Sequence, residues 1–293
     1  MKDPILTREY LKRRSFIELS ARDRAKCLFD SGTGRELAGP FDRIESPWLA
    51  MQDVTPEADD GCIVMRGTIG GQQAVVIAFA GAFQGGAIGE VSGAKLTAAL
   101  DLARADNEKG IRTNAVLLLE TGGVRLQEAN LGLAAVAEII SSIIALRRHA
   151  PVISLTAGTV GCFGGMSLAA GVSSYVVMTR QGQLGLNGPE VIEEESGVEE
   201  FDASDRPLIW SIFGGQQRYD QGLVDALVDD DADQIVKTVR DLIAQGVPPI
   251  HRSEQIDLYR SRITALDNSR QWNPEELHSW KNQNSTENNK ENQ

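Results

Sequence analysis

The sequence predicts an α/β fold assembled from β-α-β units. Three features carry that expectation: short apolar runs separated by helical stripes, glycine clusters where each run gives way to a stripe, and a hairpin signal at the first runs. With 293 residues, 42% of them hydrophobic, the chain can bury a substantial core as one large domain or two closely fused ones.

Residues 1–40 mix charge with apolar side chains at helical spacing, among them Phe16, Leu19 and Cys27, and stop at the DSGTG turn from Asp30 to Gly34. They predict a helical lead-in to a main domain over 41–270. Two Val- and Ile-rich runs follow, CIVMRGTI and QQAVVIAFA, divided by Gly70-Gly71, a pattern that predicts a hairpin. Leu96, Leu100 and Ala103 then form a helical stripe before AVLLLE at 115–120, a continuous apolar strand. A second round places a long amphipathic helix over 126–149 and a buried strand, PVISLT, at 151–156. A third puts a short helix on MSLAAG at 166–171 and a strand on SYVVMT at 174–179. GGQQRYDQGLVDALV, 232–246 and 253–266 read as a helical C-terminal part, and KNQNSTENNKENQ at 281–293 as a disordered polar tail.

Composition narrows the function. The 29 basic and 41 acidic residues leave a formal charge of −12, which disfavours a general grip on nucleic acid or anionic lipid. No signal-type leader and no membrane-length apolar stretch is seen, so a cytoplasmic location is expected. Cys27, Cys62 and Cys162 are scattered and read as reduced thiols, while His149, His251 and His278 have no second ligand at metal spacing. No metal site is expected.

Glycine numbers 29, and much of the excess over average usage sits at three strand-to-helix junctions: GAFQGGAIGEVSG at 81–93, ETGGVRLQEA at 120–129 and TAGTVGCFGGMSLAAG at 156–171. A helix N-terminus offers unpaired N–H groups and the positive end of its dipole, and glycine lets a ligand reach the backbone. Such a place suits an oxyanion. A single glycine pair is more often only a tight turn or a close packing point, and three at equivalent junctions weaken that reading. Nucleotide loops are absent, since neither GxxxxGK[ST] nor a suitably placed GxGxxG occurs. There is no GxSxG elbow either, so Ser92 and Ser167 read as packing or capping residues and Cys162 as a small buried side chain. The acidic run from Glu190 to Asp205 reads as solvated loop and helix.

FQGGAIGEVSGAKL, TGGVRLQEA, GTVGCFGGMSLAAG and LGLNGPEVIEE stand in the order and spacing of carboxyltransferase subunits of the crotonase superfamily. The chain resembles the N-terminal half of acyl-CoA carboxylase carboxyltransferases over roughly Ser15 to Val228. On TGGVRLQEA, GCFGG and FGGQQRYDQG it is most similar to the β subunits of biotin-independent malonate decarboxylases. It lacks the four-cysteine zinc ribbon of bacterial acetyl-CoA carboxylase β subunits, and the fused propionyl-type carboxyltransferases have nearly twice its length.

The resemblance implies a crotonase-like β-β-α superhelix with a helical lead-in and a helical C-terminal part. It also implies a separate, homologous gamma-type partner subunit. The implied activity is decarboxylation of a malonyl thioester, carried on the phosphopantetheine arm of acyl carrier protein or coenzyme A, with no cofactor bound by this chain. The enolate oxygen is expected between two backbone donors, one from Gly122, Gly123 and Val124 and one from Gly164, Gly165 and Met166, with Gly123 and Gly165 the first choices. Gly85, Gly86 and Ala87 either line the pantetheine channel or shape the sheet. Two alternatives stay open: a biotin-dependent carboxyltransferase subunit, and a noncatalytic scaffold.

Overall fold

The computed structural model describes residues 13–158 and 160–267, with 269, 272 and 276; the start of the lead-in and the 281–293 tail lie outside them. The strands are β1 (Arg35–Leu37), β2 (Cys62–Ile69), β3 (Gln72–Phe79), β4 (Thr113–Leu118), β5 (Val152–Thr156), β6 (Tyr175–Thr179) and β7 (Ala226–Val228). They lie side by side in chain order. β1, β2 and β3 pair antiparallel, and β3 through β7 pair parallel. The helices are α1 (Ala21–Leu28), α2 (Glu90–Glu108), α3 (Asn130–Leu146), α4 (Gly165–Val172), α5 (Pro189–Ser196), α6 (Arg206–Phe213), α7 (Gly215–Asp220), α8 (Ala232–Gln245) and α9 (Ile256–Ala265).

The hairpin between β2 and β3 turns on Gly70 and Gly71, whose φ angles of 59° and 77° suit the mirror-image turn that matches strand twist. The Asp30 carboxylate accepts from both glycine amides, at 3.0 and 2.8 Å. Beyond the hairpin, side chains alternate between two cores. Val75, Ile77, Ala115 and Leu117 face α2, α3 and α4, meeting Leu96, Leu100, Ile139, Ile143 and Met166. Ala74, Val76, Val116 and Leu118 face the other way, toward Ala25 and Leu28 of α1 and Ile235, Val239 and Ile243 of α8. Strands buried on both faces draw mostly apolar residues for both, which is why AVLL of β4, VISL of β5 and YVVM of β6 read as near-continuous runs.

The structure departs from expectation in three places. Arg35–Leu37, within the lead-in read as helical, adds an edge strand to β2. The helix read across 214–228 stops at Asp220, Gly222 turns with φ 73°, and Ala226–Val228 pairs with β6. Strands of three residues are too short to display a period. The helix read from Leu126 begins at Asn130, because Leu126–Glu128 form a 3-10 turn and Ala129 has φ 47°. The acidic run is the solvated helix and loop expected of it, anchored where the partly buried Ile192 and Phe201 pack against Phe163, Ile209 and Phe213.

Candidate active site

The three glycine junctions follow the ends of β3, β4 and β5, and parallel neighbours bring those ends to one edge of the sheet. The loops then bond to one another. Gly122 N donates to Gly85 O at 2.9 Å, Ile88 N to Gly123 O at 2.8 Å, and Phe163 N to Thr121 O at 3.0 Å. Gly123 has φ 111° and Gly164 has φ 59°, ψ −145°, the latter a conformation nearly reserved for glycine. A Cβ at Gly164 would lie 3.2 Å from Gly123 Cα, and one at Gly123 would lie 3.2 Å from Gly164 Cα. The Gly122-Gly123 and Gly164-Gly165 pairs, 42 positions apart, are thus in backbone contact.

Not every amide there is free. Gly122 N is held by Gly85 O and Gly164 N by Leu186 O, while Gly123 N donates to Thr121 Oγ1 at 3.1 Å. Among the described residues, the amides of Val124, Gly165 and Met166 have no acceptor. Val124 N would lie 3.9 Å from a Cβ on Gly164. Gly165 and Met166 open α4, which has no side-chain cap. By contrast, the start of α2 is closed by the chain's own carboxylates: Glu90 N donates to Glu128 Oε2 at 2.6 Å and Ser92 N to Asp60 Oδ2 at 2.8 Å. Ser92 also accepts from Gly89 N, the capping role expected of it. The open dipole end therefore belongs to α4, beside the Gly123 turn.

A cavity of about 450 Å³ adjoins this contact, lined by Gly85 and Gly122 together with Phe163, Gln183, Glu190 and Arg206. Of the third expected trio, Gly85 to Ala87, Gly85 faces the cavity. Gly86 has no room for a side chain, since a Cβ would sit 1.9 Å from Glu120 O, and the Ala87 carbonyl accepts from Arg125 Nη2 at 3.1 Å. Of the last four lining residues, Glu190 was read from sequence only as the start of the acidic run, and the other three were not singled out. Nothing in their spacing marks them, because they come from a loop after β5, a segment after β6 and the starts of α5 and α6.

Glu120 and Cys162 are buried, whereas Glu190 and Arg206 on the cavity wall are exposed. Burial pushes the Glu120 carboxyl up, against the pull of Arg24 and the amides of Gly158 and Ala157, and pushes the Cys162 thiol far above its ordinary range; a thiol so placed is inert. Among the described residues, no group of three or more His, Cys, Asp or Glu is placed to hold a metal, and no helix is long and apolar enough to cross a membrane. Leu126, Leu168 and Leu186 stand 86%, 54% and 60% exposed close to the free amides in sequence or, for Leu186, through its bond to Gly164.

Residues 18–273 match the carboxyl transferase domain family. Over 219 residues the chain is 45% identical to the malonyl-S-ACP:biotin-protein carboxyltransferase of Malonomonas rubra, a match covering 71% of this chain and 69% of that protein. Its structure is similar to a chain of a Pseudomonas malonate decarboxylase hetero-tetramer in complex with malonate, with a TM-score of 0.90 and 52% identity over 93% of this chain and 99% of that one. It also shares its fold with transcarboxylase 12S, at a TM-score of 0.62 and 22% identity over 80% of this chain and 42% of that one.

Proposed function

Because the chain belongs to the carboxyl transferase domain family and has its crotonase-like fold, we propose that it is the subunit of a malonate decarboxylase that decarboxylates a malonyl thioester to the acetyl thioester. The bond between the α carbon and the carboxylate breaks, CO₂ leaves, and the electron pair passes through the α carbon onto the thioester oxygen as an enolate. Donors preplaced where that charge grows lower the barrier more than they stabilise the substrate. Here they are the amide of Val124 and the α4 amides of Gly165 and Met166. Protonation of the enolate carbon then completes the acetyl group. The carrier is read as acyl carrier protein, on the name of the Malonomonas relative, and the partner as a homologous carboxyltransferase subunit, on the hetero-oligomeric Pseudomonas assemblies.

The observation that supports this reading best is the meeting of free amides at the Gly123–Gly164 contact, at the uncapped end of α4. Its test is Gly164→Ala in the reconstituted complex. A side chain there is strained by ~1–3 kcal/mol and presses the two turns apart, so CO₂ release from malonyl-acyl carrier protein falls ~10²–10³-fold, the range for loss of one oxyanion donor, while assembly persists. An unchanged rate removes the assignment and leaves the scaffold reading. A second reading, transfer of the carboxyl group to biotin, is favoured by the wording of the Malonomonas relative's name. Avidin discriminates: the proposed decarboxylase is indifferent to it.

A further inference from the structure

The proposed chemistry uses Val124 and the α4 amides but leaves two neighbours in the same motif, Arg125 and Glu128, without a role. Arg125 Nη1 donates to Asp60 Oδ1 at 2.6 Å and to Glu128 Oε1 at 2.8 Å, and none of the three side chains has exposed surface. Its Nη2 donates to Ala87 O, and the guanidinium lies 5.2 Å from the centre of the Phe83 ring. Glu128 in turn accepts from Ser46 Oγ at 2.7 Å and from Glu90 N, and Asp60 from Ser92 N. The cluster thus ties the segment after Gly123 to the segment from Phe83 to Ser92. Ile88 N donates to Gly123 O and Ile88 O accepts from Arg125 N, so the peptide groups on both sides of Val124 are held against the same segment.

As a source of stability this arrangement is poor. One cation and two carboxylates are fully desolvated, and Arg125 Nε has no partner among the described residues, whereas apolar side chains of similar volume often serve such a place as well or better. What apolar packing lacks is direction. A planar guanidinium fixes several oxygens at set angles: here Ala87 O, within the loop that abuts the donor turn, and the Asp60 and Glu128 carboxylates, which hold the far end of that loop through Ser92 N and Glu90 N.

We propose that Arg125 is a positioning residue: through Asp60, Glu128 and the Ala87 carbonyl it sets the Val124 amide relative to the start of α4, so that both donors reach one oxygen. This rests on the functional reading above. Arg125 itself touches no substrate; it acts on the direction of its neighbour's N–H.

The test uses the full chain assembled with its partner subunit, assayed for CO₂ release from malonyl-acyl carrier protein. Arg125→Lys keeps the charge and loses the fork; the complex assembles, kcat falls ~10–100-fold, as small misplacements of catalytic groups do, and KM moves less than about 3-fold, because the lost interaction belongs to the transition state. The triple variant Asp60→Asn, Arg125→Met, Glu128→Gln removes the buried charges together; it folds and assembles, yet kcat stays low. A triple variant that regains the wild-type kcat along with its stability overturns the proposal, since Arg125 then serves folding alone. Failure of both variants to assemble overturns it for the same reason. A wild-type complex that releases no CO₂ overturns the functional reading itself, which separates the two failures.

Discussion

At the scale of single residues, the site depends on which amides are occupied. Sequence favoured Gly123 and Gly165 as donors, and the glycine clusters were legible because each sits at a strand end. Occupancy was not legible, because the acceptors that hold Gly122, Gly123 and Gly164 are Gly85 O, Thr121 Oγ1 and Leu186 O, two of them far along the chain. Gly165 also has a packing duty: a Cβ there would lie 2.7 Å from Val136 Cγ1. Gly165→Ala is therefore expected to lower stability by ~1–3 kcal/mol through overpacking. Adding Val136→Ala should recover part of the loss, as a double-mutant cycle by denaturant unfolding would show. Independent, additive effects would mean that the two positions do not press on each other.

At the scale of elements, β2 to β6 were visible as apolar runs, because their residues fill two cores at once. β1 and β7 were not, since three residues carry no readable period. The acidic run was legible as solvated helix and loop, but its place on the cavity wall was not, because Ile192 and Phe201, the two residues that anchor it, form no readable stripe among the carboxylates. The join between the end of α4 and the C-terminal part hangs on His251. Its Nδ1 accepts from Ser253 N at 3.0 Å, so Nε2 carries the proton and donates to Ser173 O at 2.9 Å. Burial holds this imidazole below its ordinary value, helped by Arg147 and Arg252 and opposed by the Ser173 bond and Glu254. A base whose folded pKa is depressed is protonated first in the unfolded chain, so unfolded molecules bind the extra proton. Stability is then full above about pH 6.5 and declines as pH falls from there toward the folded pKa. Thermal melts from pH 7.5 to 5.5 should show that decline, and His251→Gln should flatten it; an equal slope in both proteins rejects His251 as its source.

At the scale of the whole molecule, the sheet runs in chain order from β3 to β7, all parallel, which gathers the glycine junctions along one edge. Beside them Leu126, Leu168 and Leu186 are exposed, and in the proposed complex this is the face offered to the partner subunit. Placing a charge there, as in Leu168→Asp, should weaken assembly with the partner subunit at least ~10-fold in a titration by analytical ultracentrifugation while the isolated chain melts as before; unchanged assembly would place the partner elsewhere. The choice of main-chain donors has one more result. A peptide N–H neither titrates near neutrality nor reacts with thiol, amine or carboxyl reagents, so in the proposed reaction the enolate's stabilisation is constant across the physiological pH range. Whatever pH dependence the turnover displays then reports the proton source or the partner, and an inhibitor of this half of the site has to compete by shape and charge rather than by covalent capture.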